Sequence, residues 1–184
     1  QNVLYVPGTK FSEPIDIAAA AAAAMNADVV IACLGEKAYC ETPGNIDDLT
    51  LDEVQLRLVE ELAAKGKPIV LVLAQGRPRL IHRILNKVQA VVNLSLPGME
   101  GGTATADILF GDAVPSGKLP FTYPKFPNAL VAYDGKPLES LEGNVVDPEF
   151  PFGFGLSYTT FEYSDLKTTS GTLTMDGTIG VSVL

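Results

Sequence analysis

The stretch GEKAYCETPGNIDDLTL, residues 35–51, follows the apolar run DVVIACL (28–34) and is rich in acid. Glu36, Glu41, Asp47, Asp48 and Asp52 crowd around Tyr39, Cys40 and the pair Pro43-Gly44. Carboxyl groups can act as general acid, general base or nucleophile when their surroundings tune them to the task. A plainer account is available for each. Asp47 and Asp48 keep a loop solvated, and Asp52 puts negative charge on the first turn of a helix, where the dipole favours it. Glu36, next to the end of the apolar run, is placed to orient the loop through hydrogen bonds. Glu41 stands just before Thr42-Pro43-Gly44, where proline and glycine fix an exposed turn. The residues by themselves leave catalysis by Glu41 as one reading among these.

Other chemistries find less support. The glycines of GMEGG (98–102) and GFGL (153–156) lack the strand–GxGxxG–helix setting of a dinucleotide site. Ser116-Gly117-Lys118 lacks the flanking spacing of a phosphate-binding loop, and no serine sits in a GxSxG elbow. His82, the single histidine, lies in an Arg/Ile/Leu-rich helical pattern and is not spaced from Cys33 or Cys40 as a zinc ligand would be. No metal and no cofactor is expected. The two cysteines either bridge the strand end to the loop or stay free. A net charge of −9 would repel a phosphate backbone, so nucleic acid is not an expected partner. The longest apolar run, IAAAAAAAM (17–25), is far too short for a membrane span.

The elements that must carry the acidic loop can be read from periodicity. VLYVP (3–7) reads as a strand, and Ser12 as the cap of a helix with Glu13 and Asp16 in its first turn. Val29–Leu34 is continuously apolar, the mark of a strand covered on both faces. Thr50-Leu51-Asp52-Glu53 has the form of a capping box, and Leu51, Val54, Leu58 and Leu62 recur at helical spacing until Lys65-Gly66. PIVLVLA (68–74) and AVVNLSL (90–96) are further buried strands, with a short helix over 79–86 between them. A small-residue helix then runs to a stop at Gly111-Asp112. This alternation predicts an α/β fold, a three-layer sandwich with a mainly parallel sheet and helices on both faces. Ligands in such sheets sit outside the carboxyl ends of the strands, which is where the acidic loop leaves. From about residue 113 prolines and glycines predict an ordered, meandering connection. Near the end, TLTMDGTIGVSVL (172–184) reads as two strands about a turn at Met175–Thr178, the opening of a β-sandwich.

Gly35-Glu36-x-x-Tyr39-x-Glu41-x-x-Gly44-Asn45 resembles the loop of glycoside hydrolase family 3 that carries the acid/base glutamate. Further blocks follow in the family's order: Gly66-Lys67-Pro68, Gly76-Arg77-Pro78, Pro97-Gly98 with Gly101-Gly102, ADILFGD (106–112), PSGKLP (115–120) and FGFGLSYT (152–159). Each is weak alone, and together in register they are specific. The match is nearest to the β-glucosidase and exo-glucanase branch. It implies an α/β-sandwich domain over residues 1–159, with its first strand and helix missing, and the truncated start of a fibronectin type III-like domain over 160–184.

The resemblance also implies a retaining, exo-acting β-glycosidase acting on terminal non-reducing β-D-glucosyl residues. Glu41 is the implied acid/base, with Glu36 and Tyr39 as substrate-binding or loop-supporting residues. The nucleophilic aspartate belongs on a (β/α)8 barrel domain that precedes this one in family members and is not in this chain. The expected partners are therefore β-linked glucosides or oligosaccharides and that barrel. The chain alone is expected to be inactive, and the whole enzyme to be periplasmic or secreted. Glu41 must stay protonated near neutral pH, which a neighbouring carboxylate and partial desolvation would favour. A different reading makes this a non-catalytic carbohydrate-binding or scaffolding domain, against which the intact GExxYxE loop speaks.

Overall fold

The computed structural model describes residues 2–129 and 147–184. Part of the expected proline- and glycine-rich connection, residues 130–146, lies outside the described residues. The core is an α/β unit built on a parallel sheet in the order β3 (Val30–Gly35), β4 (Ile69–Ala74), β5 (Ala90–Ser95). Helix α2 (Glu53–Ala63) connects β3 to β4, and the short α3 (His82–Leu85) connects β4 to β5. Ahead of the sheet stand a small hairpin, β1 (Thr9–Lys10) with β2 (Glu13–Pro14), and helix α1 (Ile17–Ala24). Helix α4 (Gly101–Phe110) follows β5.

Register explains the layering. In parallel pairing, partners share a face, so Ala32, Leu71 and Val91 lie on one side and Cys33, Val72 and Val92 on the other. The first side meets α1 and α2 through Ala20, Ala24, Leu58, Val59 and Leu62, which with the strand residues form one buried cluster. The alanines of α1 let its backbone come close to α2. β4, the middle strand, is buried along most of its length. β3 is not covered on both faces as its unbroken apolar run predicts: Ile31 is 42% exposed and Cys33 is exposed. A continuous apolar run reports the capacity to be covered, whereas the covering element lies elsewhere in sequence.

Several local expectations are corrected. VLYVP (3–7) forms no strand, and Tyr5 is 84% exposed. A β-prone run becomes a strand only beside a free ladder edge. Ser12 does not cap α1. Pro14 disfavours helix at Glu13, which sits in β2 instead, and Asp16 becomes the cap by accepting from Ala19 N at 2.8 Å. The capping box does not form either. Asp52 is the N-cap residue of α2 without a side-chain cap bond, while Glu53 accepts from Arg83 at 2.6 and 3.1 Å. Thr50 instead makes a parallel bridge with Leu80, which shortens the expected 79–86 helix to α3. Cys33 and Cys40 are both free.

The final segment holds only β6 (Lys167–Thr168) paired antiparallel with β7 (Val181–Ser182). The strand expected at the start of 172–184 does not form, β6 lying ahead of it; the turn is present one residue early, with Gly177 N donating to Thr174 O at 3.0 Å. Between the sheet and this tail, Leu119–Tyr123 pairs with Glu149–Phe154 through backbone bonds, among them Tyr123 N to Phe150 O at 2.8 Å. Tyr123 enters the core, and Phe150 meets its ring edge-on at 5.8 Å.

Candidate active site

The site is built where β3 and β4 end. Glu36 continues the ladder, its N–H donating to Ala74 O at 3.0 Å. Just before it, Gln55 of α2 reaches the strand end with its amide. Gln55 Oε1 accepts from Gly35 N, and Gln55 Nε2 donates to Gly35 O, both at 2.9 Å. A polar side chain only 1% exposed is tolerable here because both ends of its amide are paired. The loop therefore starts from a fixed point.

Glu36 is the hub of the next layer. Its side chain is 6% exposed, and every contact it makes is to the β4–α3 connection. Oε2 accepts from Gly76 N at 3.1 Å and Arg77 N at 3.2 Å. Oε1 accepts from Arg77 Nε at 2.8 Å and Arg79 Nη1 at 3.2 Å, and lies 2.8 Å from Arg77 Nη2. A buried carboxylate is stable only when so paired, and here both oxygens are occupied. This geometry is that of a support.

Tyr39 is the second support. The Arg77 guanidinium lies over its ring, 3.8 Å from the centroid. The ring also lies against two glycines that admit it by lacking a side chain. A Cβ on Gly44 would come within 2.9 Å of Tyr39 Cδ2, and one on Gly76 within 2.2 Å of the Tyr39 hydroxyl. Arg77 Nη1 donates to Gly44 O, closing the loop back on its origin. Arg79 Nη2 donates to Thr50 O, which fixes the loop's exit into α2.

Glu41 stands at the tip. It is exposed and begins a short 3-10 turn, Thr42–Gly44, in which Gly44 N donates to Glu41 O at 2.9 Å. Its backbone lies at φ 50°, ψ −152°, a region that side-chain-bearing residues rarely occupy. Such strain costs on the order of 1–3 kcal/mol and persists only where the surroundings impose it. The surroundings here are Pro43 and the pinned residues on either side.

The other carboxylates of the loop are placed apart. Asp48 Oδ1 accepts from Thr50 N at 2.7 Å, and that bond holds its carboxyl below the usual carboxylate range, making it a poor proton donor. Asp47 is exposed, and Asp52 marks the start of α2. Glu36 and Tyr39 are thus gathered into one cluster, with Glu41 carried beyond it. Arg77 and Arg79 were given no role from the sequence. The available signal was two arginines within three residues, directly after a buried strand, in a chain of net charge −9.

Among the described residues no helix is long and apolar enough to cross a membrane. The model of the "Glycosyl hydrolase family 3 C-terminal domain" matches residues 8–158. A lysosomal beta glucosidase of Dictyostelium discoideum is 41% identical over 170 residues, which cover 90% of this chain and 20% of that protein. A periplasmic beta-glucosidase of Salmonella typhimurium is 38% identical over 176 residues, covering 88% of this chain and 23% of that protein. Beta-xylosidases are also among the curated relatives. Of solved structures, a β-glucosidase from Erythrobacter marinus superposes with a TM-score of 0.78 at 36% identity, covering 91% of this chain and 24% of that one. The chain thus spans about a fifth to a quarter of the length of these relatives. On the match of the family model and of these relatives along most of its length, this chain belongs to glycoside hydrolase family 3.

Proposed function

We propose that the chain is the acid/base-bearing part of a retaining, exo-acting β-glycosidase of β-glucosidase type, and that Glu41 is the acid/base. The observation that carries this reading is Glu41 itself. It is an exposed carboxyl in a strained backbone conformation, at the tip of a loop clamped at both ends, outside the carboxyl end of a parallel strand. Strained, over-determined positions cluster at functional sites.

Retaining hydrolysis needs two carboxyl groups about 5–5.5 Å apart. One attacks the anomeric carbon while the other protonates the departing oxygen. The second then takes a proton from water, which displaces the first and leaves the sugar with its original configuration. In this reading Glu41 is the proton carrier, and the nucleophile is an aspartate of a barrel domain outside this chain. Within this chain Glu41 is exposed, and the nearby Glu36 is taken up by Arg77 and Arg79. The substrates are β-linked glucosides or oligosaccharides cleaved from the non-reducing end. The enzyme works in the periplasm or outside the cell.

The test is Glu41→Ala in the complete enzyme. Substrates with poor leaving groups should lose roughly 10²–10⁴-fold in rate, the scale of general acid catalysis. A dinitrophenyl β-glucoside needs little protonation, so its glycosylation step should be spared and turnover should stall at deglycosylation. Azide, which needs no base, should restore turnover and give a glycosyl azide of retained configuration. Equal slowing of both substrate types without azide rescue would reject Glu41 and turn the same test on Glu36, Asp47 and Asp48.

A further inference from the structure

We propose that Arg77 is the positioning residue of the Glu41 turn, setting where that carboxyl stands without touching substrate. The inference rests on the reading of Glu41 as acid/base. Three parts of Arg77 are engaged at once. Its backbone N–H, Nε and Nη2 hold the two oxygens of Glu36. Its guanidinium face covers Tyr39, and its Nη1 donates to Gly44 O.

The decisive point is where these contacts fall along the loop. Tyr39 precedes Glu41 by two residues and Gly44 follows it by three, so one guanidinium grips both flanks of the acid. A span of four residues between two fixed points has little room to wander, and Pro43 lies within it. The third grip, on Glu36, ties this clamp to the sheet, because Glu36 N continues the β3–β4 ladder. Pro78 restricts Arg77 itself to extended backbone. The side chain is 23% exposed, so it is held largely within the protein.

Lysine cannot replace it. An ammonium offers a point charge with no planar face and no fixed fork, so it could neutralise Glu36 but not stack on Tyr39 while bonding Gly44. Positioning errors near 1 Å can cost on the order of 10²-fold in rate. The loss should fall on proton transfer.

The experiment compares Arg77→Ala, Arg77→Lys, Glu41→Ala and Arg83→Ala in the complete enzyme. Arg83 serves as a control because it pairs with Glu53 and Glu60 away from the loop. The first readout is amide hydrogen exchange, which needs no catalysis. Residues 38–45 should exchange at least about tenfold faster in Arg77→Ala and Arg77→Lys, with β4 still protected and Arg83→Ala unchanged. The second is leaving-group dependence. Both Arg77 variants should lose roughly 10²-fold on poor leaving groups and little in dinitrophenyl glucoside glycosylation, with KM for the latter unchanged.

Unaltered exchange at 38–45 overturns the proposal whatever the kinetics show. So does a loss equal across leaving groups when Glu41→Ala does show leaving-group dependence. If exchange rises but Glu41→Ala shows no such dependence, the clamp stands and the acid/base assignment falls. If Arg77→Ala does not fold, Arg77→Lys, which keeps the charge beside Glu36, decides by the same two readouts.

Discussion

Tyr123 shows how much one side chain in an irregular segment can do. Its hydroxyl donates to Arg79 O and accepts from Gln75 Nε2 at 2.9 Å, joining the 119–123 segment to the connection that holds Glu36. Burial pushes its phenol up to about 12, from an ordinary value of about 10. Because the folded state resists the phenolate, this contribution to stability is complete below about pH 10. It is lost as the pH climbs through about 12. Urea unfolding at pH 8 and pH 11 should therefore show a larger alkaline loss in the parent protein than in Tyr123→Phe. At pH 8 the variant should be weaker by about 1–3 kcal/mol, since Gln75 and Arg79 each lose a buried partner. Nothing around position 123 announces burial in the sequence, because its partners lie 44 and 48 residues away. The short turn after Glu41 was legible for the opposite reason: its Thr-Pro-Gly signal is local, whereas the acid/base role proposed for Glu41 came from the family resemblance. Arg77 was not, since its three contacts span 33 to 41 residues.

The elements that matter most to the site are β3 and α2, joined at Gln55. Apolar spacing marks α2 through Leu58 and Leu62, with Leu51 buried just ahead of the helix and Val54 only partly covered, yet it passes over Gln55, which is as buried as any leucine beside it. Hydrophobic periodicity cannot flag a polar residue whose burial is justified by two backbone partners on another strand. The capping box misled for a related reason, because Glu53 found a stronger partner in Arg83. Gln55→Leu fills similar volume but orphans Gly35 N–H and C=O. The loss should be about 1–3 kcal/mol for each group left unpaired, read from chemical denaturation. Exchange of the Gly35 and Glu36 amides should rise with it. Strands 30–35, 69–74 and 90–95 were legible as largely apolar runs, but β5 is an edge strand interrupted by Asn93 and only partly covered, not the buried strand expected over 90–96; segment 3–7, equally apolar, was not distinguishable from them by composition.

For the molecule as a whole, the sheet and the paired 119–123 and 149–154 segments lie within the span that the family model matches, but they carry one proposed catalytic carboxyl. Double displacement requires two. The purified 184-residue chain should accordingly give no release of p-nitrophenol from p-nitrophenyl β-glucoside, and addition of the barrel half in trans should restore it. Robust turnover by the chain alone would place both carboxylates within it and displace the proposed division of labour. Family membership was legible at this scale because motifs separated by more than a hundred residues agreed on one answer. The sugar was not, since none of those motifs specifies it.

The backbone at Glu41 has a bearing on how such a chain can drift over generations. A left-handed conformation with ψ near −152° is native ground for glycine, so random change at this codon is rewarded, as far as folding goes, for discarding the carboxyl. Under the proposed acid/base role, turnover penalises that same change. Lineages that need the glycosidase would hold the glutamate against a standing pull, and lineages released from that need would let it go early. The identity of this one residue is then a record of which selection a sequence has been under.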